Sequence, residues 1–362
     1  MTQFWQSLTL PTMIKPILSL ACVLIIALSA CSQDGQTSSV NTDALLKVGV
    51  LEYEIVEIPL PGELGWEVME YSGIDWYQDT LVLLPQYPQG ISGSREGELY
   101  AIPGGVLRDF AEDPNIEIVP YAIPFDDAGL STELAGFEGF EAIVFIGNTA
   151  YLTIETSGGD PMKGYIVMGA VDSDGENLRS ITLDRDSLLE LPMQNDSRNA
   201  TYEALTSDGD SIYAFYEQNG TEQNDSPYAV RLTLDLSEVT HISIDSINFR
   251  VTDATLMDAD GGFWIFNYFF PGDTHLAVGD DFLSNRYGLG ETHLENRPIE
   301  RLVKYQLTSS GFVIADQPPI YLKLLDQNVA RNWEGLVAFD EIGFLLITDK
   351  FPGSILALLT LE

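Results

Sequence analysis

Side chains able to hold a proton or a cation recur in this chain at a nearly constant separation. Glu141 and Glu155, Glu203 and Glu217, Asp253 and Asn267, and Ser72 and Gln86 are each 14 residues apart, while Glu334 and Asp349 are 15 apart. Seven of these ten residues are carboxylates. Crowded carboxylates repel, so they must share protons, pair with bases or be bridged by a cation. The nearest bases in sequence are Arg198, Arg331 and Lys350. Calcium suits such a set, because it takes six to eight oxygens in flexible geometry and accepts carbonyls from strand ends. The expected calcium ligands are Glu141, Glu155, Glu203, Glu217, Asp253, Glu334 and Asp349. Internal pairing with Arg, Lys or water is the other arrangement open to them. Ser72, Gln86 and Asn267 share the spacing without the charge, and with Arg331 and Lys350 they are candidate ligand-binding residues.

Each pair brackets the same kind of element. The segments "SGIDWYQDTLVLLPQ" (72–86), "EAIVFIGNTAYLTIE" (141–155), "EALTSDGDSIYAFYE" (203–217), "DATLMDADGGFWIFN" (253–267) and "EGLVAFDEIGFLLITD" (334–349) each run apolar, turn, apolar. Gly147-Asn148, Asp208-Gly209 and Asp260-Gly261 supply the chemistry of a tight strand reversal. Two further strand-like runs follow each of the first four hairpins, but only "SILALLTLE" follows the fifth. The missing strand is available in "VGVLEYEIVEIPLP" (48–61). A repeat of this kind, closed by joining the two ends of the chain in one blade, predicts an all-β fold: a β-propeller of five four-stranded blades. Six blades is the alternative, because the interval from 254 to 335 is long. In a propeller the first strand of each blade lines the central channel, so the paired residues should form a collar at one mouth. The long stretch 268–299 falls on the same face, either as a lid carrying Arg286 and His293 towards the mouth or as a plain flap.

Bulk charge narrows the partners. The 362 residues carry 55 acids against 17 bases, a net −38, which excludes nucleic acid. His241, His275 and His293 lack zinc spacing, and no nucleophile elbow or phosphate-cradling loop is present. Near the N-terminus, "PILSLACVLIIALSA" (16–30) is short for a membrane span and reads as a targeting segment. It runs into "LSAC", which resembles the lipobox of bacterial lipoproteins. That resemblance implies a signal peptide over 1–30, lipid on Cys31, a flexible tether to 45 and one propeller domain over 46–362. It further implies an exported, envelope-anchored protein, in the outer membrane where there are two membranes. With Cys22 removed and Cys31 lipidated, no disulfide or catalytic thiol is left.

The runs "RNWEGLVAF" with "GFLLITDKFPGSILAL", "YSGIDWYQDTLVLLPQYP" and "FEAIVFIGNTAYLTIE" resemble the propellers grouped as phytase-like or esterase-like. In that group a Glu-Gly-Leu segment begins the innermost strand and an "SD" or "TD" acid ends the next. The resemblance implies a propeller and metal-dependent hydrolysis of phosphate or carboxylic esters. It carries over to Glu334 and Asp349 and, by internal repetition, to Glu141, Glu155, Glu203 and Glu217. Ser72 and Gln86 depart from it, and the scarcity of Lys and Arg argues against a highly phosphorylated substrate. Two expectations follow. One is a monomeric, lipid-anchored binding or scaffold module with calcium in its acidic mouth, taking a small anionic ligand through the metal or a cell-surface protein. The other is a calcium-dependent ester hydrolase whose collar holds a water-activating metal.

Overall fold

Apolar runs separated by left-handed turns fold back on themselves, and five such hairpins form the inner half of the molecule. The computed structural model describes residues 50–90, 97–157, 162–175, 177–197, 199–278 and 280–361; the signal-like segment, Cys31, the tether and Arg198 lie outside these. Blade one pairs Tyr71–Tyr77 with Thr80–Pro85, and blade two pairs Phe137–Ile146 with Thr149–Thr156. Blade three pairs Tyr202–Ser207 with Ser211–Tyr216. Blade four pairs Arg250–Ala254 with Gly262–Phe269, and blade five Trp333–Phe339 with Gly343–Thr348. Gly147 (φ +58°) and Gly209 (φ +88°) sit in two of the reversals, where a side chain would strain the backbone.

Outer strands complete each blade. Glu98–Pro103 and Tyr121–Asp126 extend blade one; Lys163–Ser173 and Leu178–Leu183 extend blade two. Tyr228–Thr233 and Val239–Ser243 extend blade three. In blade four, Ile299–Thr308 carries both Gly311–Ile314 and Ile320–Leu322 on its outer edge. Blade five takes Leu356–Thr360 and then, antiparallel to it, Ile55–Ile58 from the other end of the chain. The predicted closure is therefore present. Glu52–Tyr53 also runs parallel to Tyr321–Leu322 of blade four, so one N-terminal stretch stitches two blades.

The inner strands pack in a closed ring: blade one on two, two on three, three on four, four on five, and five on one. Five blades close the ring. The long interval that suggested a sixth is the blade-four insertion together with that blade's outer strands. Each seam buries its own apolar cluster: Leu84, Phe140 and Ile154 between blades one and two, Phe215 and Phe263 between three and four, Phe266, Trp333 and Leu346 between four and five. Burying one such side chain is worth about 1.5–3 kcal/mol. The seams thus hold the inner strands where their ends meet.

Candidate active site at the channel mouth

All five inner strands carry a β-bulge at the same point. The register slips between Tyr71 and Gly73, Phe140 and Ala142, Tyr202 and Ala204, Val251 and Asp253, and Trp333 and Gly335. A bulge leaves one residue out of the ladder and re-aims its side chain. The five residues so freed are Ser72, Glu141, Glu203, Thr252 and Glu334. Glu141, Glu203 and Glu334 line a cleft of about 550 Å³ at the channel mouth. Gln86, Glu155 and Asp349, from the far ends of the hairpins, line it as well. Arg250 and Tyr268 come from blade four, Phe270 and Asp273 from its insertion, and Asn332, Lys350 and Phe351 from blade five.

Each carboxylate has its own setting. Gln86 donates to Glu141 (3.0 Å) and Thr201 to Glu155 (2.9 Å). Asn332 donates to Glu334 (2.5 Å). Asp349 accepts the backbone N–H of Lys350 and that of Phe351 (2.9 Å), and the Lys350 ammonium pairs with Glu70. Arg250 donates Nε–H to Asp273 (2.9 Å) and pairs through its other arm with the fully buried Glu217. Burial, joined by the neighbouring charges of Asp349, Glu203 and Glu141, pushes Glu334 well above the usual carboxylate range. Glu141 moves the same way through burial and the charges of Glu155 and Glu203. Burial lifts Glu203 to about 8 against the pull of Arg250. Asp349 is also raised by burial, but Asn332, two backbone N–H groups and the Lys350 ammonium all favour its charged form.

No protein-family model matches this chain, and no curated protein does. Among solved structures, it is similar to a GH43_1 enzyme from Xanthomonas citri at 10% identity and a TM-score of 0.44, over 85% of this chain and 91% of that one. It is also similar to an α-L-arabinofuranosidase from Clostridium thermocellum (11%, TM-score 0.43, 76% and 80%). A GH43 endo-arabinanase from Bacillus licheniformis is similar too (11%, TM-score 0.42, 83% and 95%). The five blades rest on the strand pairing described above, not on these likenesses. Of the sequence resemblance, the β-propeller is borne out by that strand pairing.

Several predicted site residues face elsewhere. In blade four the bulge falls on Thr252, so Asp253 sits one residue farther in and takes the Leu336 N–H of the next blade (2.7 Å). Ser72 donates to the Phe140 carbonyl (2.5 Å) and is buried. Asn267 is buried between the carbonyls of Asn248 and Arg250 and the Arg301 guanidinium. Arg331 turns away from the mouth to pair with Glu300 (2.9 Å) beneath Trp333. Glu217 lies behind the cleft, against Arg250. In the insertion, Arg286 pairs with Asp316 and His293 is buried against Glu52 (2.6 Å), so neither reaches the mouth; Phe270 and Asp273 do. Sequence reasoning missed Arg250, although it lies as close to Asp253 as Arg331 lies to Glu334. Among the described residues, no three Asp, Glu, His or Cys side chains gather closely enough to hold one ion. No step below is routed through a metal.

Proposed function

We propose that the mouth is the active site of a hydrolase that cleaves glycosidic bonds by carboxylate acid–base chemistry. One observation carries the reading: a single hairpin places two carboxyl groups on one cleft, Glu334 among other acids and Asp349 beside backbone N–H donors and Lys350. Glu334, buried and crowded by other acids, has its carboxyl pushed well above the usual carboxylate range and is the candidate donor of a proton to a leaving oxygen. Asp349 is also raised by burial, but it accepts two backbone N–H groups and lies near Lys350, which favour the charged form needed to activate water or to attack. Two carboxyl groups on one cleft, one to donate a proton and one to act on the sugar carbon or on water, are the working parts of glycoside hydrolysis.

The rest of the lining supports a neutral, hydroxyl-rich substrate. Six acids against two bases repel anions, including the phosphorylated and carboxylate ligands that a metal-loaded collar would accept. Phe270 and Phe351 are 47% and 59% exposed and offer apolar faces for the C–H side of a sugar ring. Gln86 and Asn332 add amide groups for hydroxyls. Among the described lining residues there is no Ser, Cys, Thr or His, so an acyl-enzyme route has no nucleophile here. The test is hydrolysis of a panel of aryl glycosides and neutral polysaccharides by the purified protein, beside Glu334→Gln and Asp349→Asn. Turnover of at least one glycoside, falling by about 100-fold or more in each variant, supports the reading. Hydrolysis of esters alone, or unchanged rates in both variants, overturns it.

A further inference from the structure

Among the described residues lining the mouth, the cations are Arg250 and Lys350, and Arg250 is the more enclosed, with 14% of its side chain exposed against 43% for Lys350. Its backbone is fixed on several sides. It opens the inner strand of blade four, bridges Gln218, pairs with Tyr268 and accepts from Asn267 at its carbonyl (3.0 Å). The next residue, Val251, donates to the Glu217 carbonyl (2.9 Å). The guanidinium then joins three separate parts of the chain. One arm meets Glu217, which is fully buried at the end of the blade-three hairpin, and Nε–H meets Asp273 of the insertion (2.9 Å). Glu203 and Glu334 stand within its electrostatic reach on the cleft side. Phe270 and Asp273 belong to the same short stretch, so whatever holds Asp273 also holds the exposed ring of Phe270 over the cleft.

We propose that Arg250 is the positioning residue of the mouth: its guanidinium ties the insertion to blades three and four, keeping Asp273 and Phe270 over the cleft. This rests on the hydrolase reading for its kinetic consequence but not for its structural one. A guanidinium presents separate N–H groups to Asp273 and Glu217 at once, whereas a lysine ammonium is a single point charge. A displacement of about 1 Å in such a site costs on the order of 100-fold in rate.

The experiment compares wild type, Arg250→Ala and Arg250→Lys in two measurements. Amide hydrogen exchange over 262–278 reads the insertion directly. Both variants should lose protection around Asp273, and millimolar guanidinium should restore it in Arg250→Ala alone. Turnover on the best glycoside should fall on the order of 100-fold in kcat with a smaller change in KM, and guanidinium should recover at least about tenfold of it in Arg250→Ala. Unchanged exchange near Asp273 in both variants overturns the proposal, whether or not any glycoside is hydrolysed. Normal kcat in Arg250→Lys, or a loss in Arg250→Ala that guanidinium does not relieve, overturns it too. If Arg250→Ala does not fold, Arg250→Lys decides by the same exchange measurement. Wild type inert on every glycoside would defeat the hydrolase reading, leaving the exchange result to stand alone.

Discussion

Removing the Glu300 carboxylate should destabilise the propeller by several kcal/mol, through a charge that has nothing to do with ligand binding. Glu300 is fully buried and accepts the Arg331 N–H (2.9 Å), the Arg331 Nε–H (2.9 Å) and the Trp333 indole N–H (2.8 Å). Arg331 itself is 3% exposed. Glu300→Ala therefore strands a buried guanidinium, which costs about 3–5 kcal/mol, and unpairs a buried indole. For roughly 300 described residues, an unfolding entropy of about 2.1 cal/mol/K per residue makes 4 kcal/mol equal to a fall in Tm of about 6 °C. Differential scanning calorimetry reads that shift, provided unfolding is reversible. The double replacement Glu300→Leu with Arg331→Met removes both charges and should recover most of it, because two apolar groups of similar volume leave nothing unpaired. A Glu300→Ala Tm within about 1 °C of wild type, or a double variant no better than the single, would refute the reasoning.

Three further outcomes follow from buried and clustered acids. Burial raises Asp75 from 3.8 to about 7, outweighing the N–H it accepts from Phe145 (2.7 Å). The folded state then binds the extra proton, so stability should fall as pH rises from about 4 to about 7. Asp75→Asn should flatten that part of a urea-unfolding series, and an unchanged slope would count against it. Glu52 works in the opposite sense: burial pushes its carboxyl up, but His293 and Thr292 donors prevail and hold it at about 2. Its contribution is present above the ordinary pKa of 4.5 and is lost as pH falls towards about 2, so Glu52→Gln should lower stability at pH 6 more than at pH 2.5. The calcium expected from sequence is checked by melting the protein with EDTA and with added calcium. A large calcium-specific rise in Tm would establish the acidic mouth as a metal site, and no shift with calcium or EDTA would leave its acids paired within the protein.

The blades were legible because a hairpin's apolar alternation and its turn residues are local, and five copies made the period visible. The collar was legible for the same reason: Glu141, Glu203 and Glu334 stand at equivalent bulges. Blade four defeated the alignment because Asp253 satisfied the acid pattern one residue away from the bulge at Thr252. A one-residue slip turns a side chain to the other face, and nothing in a single sequence reports it. The pairing of Arg331 was not legible because its partner, Glu300, lies 31 residues upstream and is brought near only by blade packing. The insertion was correctly placed on the mouth face, but its helices Phe282–Tyr287 and Glu291–Glu295 carry Arg286 and His293 away from the cleft.

General-acid catalysis by Glu334 is tested most directly by leaving-group dependence. Wild type and Glu334→Gln are compared on aryl glycosides whose phenols span a wide range of acidity. The proposed role predicts a loss of about 100-fold or more for the poorest leaving groups and near-normal rates for the most acidic phenols, which depart without a donated proton. An equal loss across the whole series, or none at all, would contradict it.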